Sequence, residues 1–152
     1  SRPNSPLADD AQFGVCRSFW IVSPDLPRDQ EFTQKTIEEC TRLLEFFPRS
    51  PLVGDARDLV AQARQKMAAK ELRVGRYYYE RGFYESAIIY FENILQTYPE
   101  ADVAPATLLA LYDSYSRVGF RAEADLVRQR LLEFYPDSPE ALEISQRVED
   151  ES

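Results

Sequence analysis

Side chains able to act as nucleophiles, proton carriers or metal ligands are sparse in this 152-residue chain. It contains no histidine, which removes a histidine-based triad and most zinc sites. Cys16 and Cys40 are too far apart for a Cys-x-x-Cys site and too few for a four-thiolate cluster. The acidic neighbours Asp9-Asp10 and Glu38-Glu39 could share general acid–base work, but adjacent positions on a helix point apart and neither pair has an apolar enclosure in sequence. Both pairs read as solvated surface. Gly14, Gly54, Gly75, Gly82 and Gly119 stand singly, so no phosphate-cradling loop occurs. The expectation is a protein without catalytic residues, cofactor or metal. The cysteines read as two buried apolar thiols, which fit reducing and oxidising compartments alike; whether they pair is open at this level.

What remains is recognition chemistry. Tyr77-Tyr78-Tyr79, Arg81 and Ile88-Ile89-Tyr90-Phe91 fall within Gly75–Pro99. A helix that buries one stripe cannot hide them all, and Tyr and Arg are enriched among the few interface residues that carry binding energy. The partner class is bounded by charge: 26 acidic against 18 basic residues give a net charge of -8, which repels phosphate backbones and disfavours nucleic acid. The longest uninterrupted apolar run, Ala87 to Phe91, falls far short of the roughly 20 residues of a membrane-spanning helix.

The elements that must position these residues are marked by a recurring Pro-x-Ser-Pro: Pro3-Asn4-Ser5-Pro6, Pro48-Arg49-Ser50-Pro51 and Pro136-Asp137-Ser138-Pro139, with a looser Pro99-Glu100-Ala101-Asp102. The first Pro cannot continue a helix, the Ser can cap the next one, and the second Pro suits its first position. Each mark therefore predicts a helix stop and start. Helical spacing of apolar residues joins Ile37, Cys40, Leu44 and Phe47; Tyr84, Ala87, Ile88, Phe91, Ile94, Leu95 and Tyr98; and Ala124, Val127, Leu131, Phe134 and Tyr135. An opening helix is expected over about Leu7 to Ile21, a loop over Val22–Gln30, and one long helix of roughly 45 Å over Leu52–Arg81, which lacks proline.

The last two units align at an offset of 37 (119 − 82): Gly82 with Gly119, Ala87 with Ala124, Tyr98-Pro99 with Tyr135-Pro136. That period belongs to helical repeats that bury their faces against their neighbours. Gly75, Tyr78, Gly82, Tyr84, Ala87, Phe91 and Pro99 match tetratricopeptide positions, with Gly75 and Ala87 where two helices approach closely. Ile94 departs from the usual small residue, and Arg128 stands where Phe91 stood. The expected fold is all-α, a tetratricopeptide-repeat solenoid of antiparallel helix hairpins with one extra-long helix. The expected divisions are a partial repeat plus a repeat with an inserted loop at 22–32 (1–48), a repeat with a long first helix (49–99), a further repeat (100–136), and a capping helix and tail (137–152).

Arg28-Asp29-Gln30, Thr33, Thr36-Ile37, Phe47-Pro48-Arg49-Ser50-Pro51, Lys66-Met67-Ala68-Ala69-Lys70-Glu71-Leu72, Tyr77-Tyr78-Tyr79-Glu80-Arg81-Gly82 and Tyr98-Pro99 together resemble the BamD family, lipoproteins of the bacterial outer-membrane β-barrel assembly machinery. The resemblance covers nearly the whole chain and corresponds to the family's carboxy-terminal portion, with the lipid-anchored amino terminus expected outside it. It implies a non-catalytic scaffold at the periplasmic face of the outer membrane, whose carboxy-terminal repeats dock the POTRA domains of BamA, and which meets other assembly-machine lipoproteins and unfolded outer-membrane proteins. The family commonly has an Arg in the turn of the fourth repeat, matched by Arg81. An Asn-Arg pair that often follows is Ile89-Tyr90 here, so the second contact is either lost or hydrophobic.

On the residues themselves, Tyr90 is expected to be exposed beside the buried stripe, and Arg81, Tyr90 and Phe83 form the expected anchor cluster. A concave groove is expected along Leu72, Arg76, Tyr79 and Glu80, continued by Leu109, Asp113, Ser116 and Arg117. The partner-binding set is thus Arg81, Phe83, Tyr90, Arg76, Tyr79, Arg117 and Arg121. The alternative is a generic tetratricopeptide scaffold or co-chaperone gripping an acidic peptide tail, which Glu80 and Asp113 disfavour by offsetting Arg76 and Arg117.

Overall fold

The computed structural model describes residues 6–21 and 29–151, and regular structure among them is helical throughout. The expected mark at Pro3–Ser5 and most of the loop expected at Val22–Gln30 lie outside the described residues. Helices α1 (Pro6–Ile21), α2 (Asp29–Phe46), α3 (Val53–Glu80), α4 (Tyr84–Thr97), α5 (Ala104–Val118), α6 (Arg121–Phe134) and α7 (Pro139–Glu151) follow in order. The long helix is α3, whose 28 residues extend about 42 Å. The chain forms two units, Ser1–Met67 and Ala68–Ser152, with the division inside α3.

In the first unit α1 and α2 run antiparallel. The core gathers Cys16, Cys40, Leu43 and Ala56, with Phe13, Leu44, Phe47 and Leu59 packed against it. The buried line of α2 is Thr33, Thr36, Cys40 and Leu43; the expected line through Ile37, Leu44 and Phe47 is its half-buried margin. Sequence hydrophobicity missed the threonines because a Thr in a helix can satisfy its own hydroxyl: Thr36 Oγ1 donates to the Phe32 carbonyl at 3.0 Å, so its methyl packs without an orphan polar atom. Cys16 and Cys40 meet in this core, their Cα atoms 5.1 Å apart, joined as a disulfide. The acidic pairs are also less solvated than expected. Asp9 accepts from Ser50 Oγ at 2.5 Å, and Glu39 accepts from Gln12 Nε2 at 2.9 Å, because both carboxylates tie α1 to its neighbours.

The Pro-x-Ser-Pro marks act in two ways. At Ser138 the hydroxyl accepts from the Ala141 N–H at 3.1 Å and Pro139 opens α7, as expected. At Ser50 the hydroxyl accepts from Leu52 N at 3.1 Å, two residues on, so Pro51 stays in the turn and α3 begins later, at Val53. Ser138→Ala is expected to cost about 1 kcal/mol, read as faster hydrogen exchange in the first turn of α7.

In the second unit the carboxy-terminal part of α3 meets α4 at Gly75 and Tyr78, α4 packs on α5, α5 on α6, and α7 on both α5 and α6. Ala87, Phe91, Ile94 and Leu95 of α4, Leu108 and Leu111 of α5, and Ala124, Val127 and Leu131 of α6 form the core. Phe134 departs from the stripe expected for α6 and is exposed. Thr107 and Ser114 are buried on α5, again bonded back to carbonyls four residues earlier at 2.8 Å. Gly75 is required by contact: a Cβ there would lie 2.5 Å from Cε1 of the buried Phe91 ring.

Candidate functional site, an aromatic and arginine cluster at the repeat turn

Helices α3 and α5 end in the same way. Gly82 and Gly119 adopt the left-handed conformation, with φ of 81° and 82°, which glycine enters without the Cβ penalty. Around Gly82 the Phe83 N–H reaches the Tyr78 carbonyl at 2.9 Å and the Gly82 N–H reaches Tyr79 at 3.0 Å. Around Gly119 the Phe120 and Gly119 N–H groups reach Tyr115 at 2.9 Å and Ser116 at 3.2 Å. Both are Schellman motifs, and both carry the apolar contact that accompanies one. The ring centroids of Tyr78 and Phe83 are 6.4 Å apart, and those of Tyr115 and Phe120 are 6.3 Å apart. Phe83 thus belongs first to its turn, and its exposed face, 58% of the residue, is left over from that role.

Residues that do not recur one repeat later are of a different kind. Arg81, whose counterpart is Val118, lays its guanidinium over the Tyr77 ring at 3.5 Å, within cation–π range. Tyr77 itself is exposed and meets Tyr78 edge-on at 5.7 Å. Tyr90, expected to be exposed, is half-buried: it stacks on Tyr78 with centroids 5.4 Å apart and planes at 17°. The correction has a simple cause, since Tyr78 reaches from α3 across α4 and offers a ring face that a residue beside the stripe can cover. Ile89, one residue earlier, is the one left outside, 69% exposed. Arg81, Phe83 and Tyr90 therefore converge, but through Tyr78 and Tyr77, which were not in the expected set. The Tyr77-Tyr78-Tyr79 run was the available signal; which of the three rings faces α4 requires the helix phase.

The groove forms separately. A pocket of about 250 Å³ is lined by the expected Arg76, Tyr79, Glu80, Leu109 and Asp113, with a floor supplied by Phe91, Ala106 and Ala110. Leu72 is not in it: it faces inward and is buried, because it lies one turn before Gly75 on the packed side of α3. Ser116 is exposed and donates back to the Tyr112 carbonyl at 2.8 Å. Arg117 is exposed and pairs with the Tyr79 hydroxyl, which holds the guanidinium proton still more firmly, and it lies 5.9 Å from the Tyr84 ring centroid. Asp113 is engaged by Arg147 of α7 at 2.6 Å. Arg121 is an exposed residue at the start of α6 and does not line the groove.

Next to the groove, the Tyr115 hydroxyl donates to Glu92 Oε1 at 2.7 Å. Burial, and then this bond to an anion, push its phenol from 10.0 up to about 12. The fold favours the protonated phenol, so the contribution is fully present below pH 10.0 and is lost as pH rises toward about 12. Thermal melting of Tyr115→Phe against the parent across that window is expected to show a shallower decline in the variant.

Among the described residues no three His, Cys, Asp or Glu side chains come together to hold a metal ion, and no helix is long and apolar enough to cross a membrane. The stacked hairpins with glycine turns define an all-α helical-repeat protein. The family model described as an outer membrane lipoprotein, YfiO, matches residues 2–132, and the chain belongs to that family. Similar curated proteins are each named outer membrane protein assembly factor BamD. That of Xylella fastidiosa is 30% identical over 124 residues, covering 81% of this chain and 42% of its own. That of Caulobacter vibrioides is 27% identical over 124 residues (80% and 40%), and that of Rickettsia prowazekii 25% over 121 residues (80% and 48%). The chain thus spans somewhat less than half the length of these relatives.

Proposed function

We propose that this chain is a non-catalytic scaffold in outer-membrane protein assembly, acting at the periplasmic face of the outer membrane as part of a lipid-anchored protein. It docks the POTRA domains of a BamA-type barrel subunit through the edge formed by Arg81, Tyr77, Phe83, Tyr90 and Ile89. Other assembly lipoproteins and unfolded outer-membrane proteins are further partners on this reading. Family membership supports the assembly role. The observation that carries the docking surface is that Arg81, Tyr77 and Tyr90 are absent from the next repeat, where Val118, Ser114 and Val127 stand, although the turn they surround is the same. The turn alone does not require them. An arginine held over a tyrosine ring, with an exposed isoleucine next in sequence to the stacked Tyr90, supplies the arginine and aromatic groups that interface cores favour.

Calorimetric titration with the POTRA region of the cognate BamA provides the test. Arg81→Glu and Ile89→Asp each alter an exposed side chain and are each expected to weaken binding at least tenfold, about 1.4 kcal/mol. Full affinity in both variants would overturn the placement. The groove supports a second reading, a peptide grip, because its pocket is lined by the charged Arg76 and Glu80 together with apolar Phe91, Ala106, Leu109 and Ala110. Binding lost on Arg76→Ala and retained in Arg81→Glu would select it.

A further inference from the structure

We infer that the Cys16–Cys40 disulfide is what fastens α1 to the first unit, so that this helix docks stably only in a chain that has been oxidised. The inference stands apart from the assembly reading and rests on where the bond lies: Cys16 is the residue through which α1 enters the buried core of the first unit, with Phe13 packed at its margin. Of its described side chains only Ala8 and Cys16 are buried, while Val15 and Ile21 are exposed. Its described ties to neighbouring elements include Asp9 to Ser50, Gln12 to Glu39 and the Lys66 ammonium over the Trp20 ring at 5.6 Å. The wholly buried side chains described on α1 are thus a methyl group and a sulfur, and its rings Phe13, Phe19 and Trp20 are only partly buried, so the bond adds to a modest buried area.

Cys16 and Cys40 are each fully buried, and their 5.1 Å Cα separation lies within the range a disulfide spans. The bond closes a sequence separation of 24 residues, long enough for the lost freedom of the open chain to matter. In forming it, the two thiols give up two protons and two electrons, and a disulfide donor of the thiol oxidoreductase class takes them up and becomes a dithiol. Such donors act in oxidising compartments, the bacterial periplasm among them. Once formed, the bond is shielded from reductants until the helix opens, so it behaves as a permanent fastening in place of a reversible switch.

The test begins with the full chain recovered from an oxidising compartment, unfolded without reductant and treated with iodoacetamide. Intact mass is expected to show no adduct, and both cysteines alkylated only after reduction. Adducts on both cysteines before reduction, or a covalent dimer in place of the closed monomer, would overturn the pairing. Hydrogen exchange then tests its role on the same wild-type chain, which avoids a variant that fails to fold. After reduction, protection across α1 is expected to fall at least tenfold and the thermal midpoint by about 10 °C. Unchanged protection of α1 in the reduced chain would show that packing alone holds the helix and would overturn the inference.

Discussion

Phe91→Ala is expected to lower the stability of the second unit by about 3–5 kcal/mol, the largest loss of any single truncation among the described residues. The ring is fully buried and is the largest wholly enclosed side chain among the described residues. It fills the space between α4 and the glycine of α3, and it also forms part of the groove floor. Rigid helices cannot close onto the vacated volume, so the lost transfer energy and the cavity add together. Against a typical total of roughly 5–15 kcal/mol, such a loss shifts the urea midpoint far enough to read by circular dichroism. A midpoint within error of the parent would show that α3 and α4 repack freely.

Gly75→Leu is the second large effect, expected near the upper end of the roughly 1–3 kcal/mol range for overpacking. Gly75→Ala is more instructive because two terms of opposite sign meet in it. An alanine in a helix interior gains about 1 kcal/mol over glycine. Here its Cβ would lie 2.5 Å from Cε1 and 2.9 Å from Cδ1 of a ring that has nowhere to turn, so the contact term wins and the variant is expected to be destabilised. In a Phe91→Ala background the obstruction is gone and the same substitution is expected to become stabilising. A double-mutant cycle by urea titration checks that reversal of sign; additivity would place the two residues out of contact.

Features that depend on local backbone chemistry were legible in the sequence. Gly82 and Gly119 announced the two left-handed turns, Pro139 the start of α7, and the proline-free stretch the long α3. The close approach at Gly75 was legible too, since a glycine inside an otherwise strong helix calls for a packing reason. Features that depend on where one helix meets another were not. Tyr90 lies beside the apolar stripe of α4 by periodicity, and only the ring of Tyr78 arriving from α3 covers it. Repeat register places Leu72 in the groove, yet the side chain is buried in the core. Thr33 and Thr36 look polar in composition and are buried. The pairing of Cys16 with Cys40 needs two helices set side by side, which no spacing of two cysteines specifies.

Phe83 and Phe120 are kept in place by the requirements of their own turns, yet each leaves part of a ring facing solvent at the same edge of its repeat. A lineage of such repeats inherits a ready foothold for partners without first having to evolve one. The neighbours differ while the turn does not: an arginine over a tyrosine ring stands in one copy, and a valine and a serine at the same positions in the next. Binding specificity can in this way diversify along an array of near-identical hairpins while every copy goes on folding by the same rule.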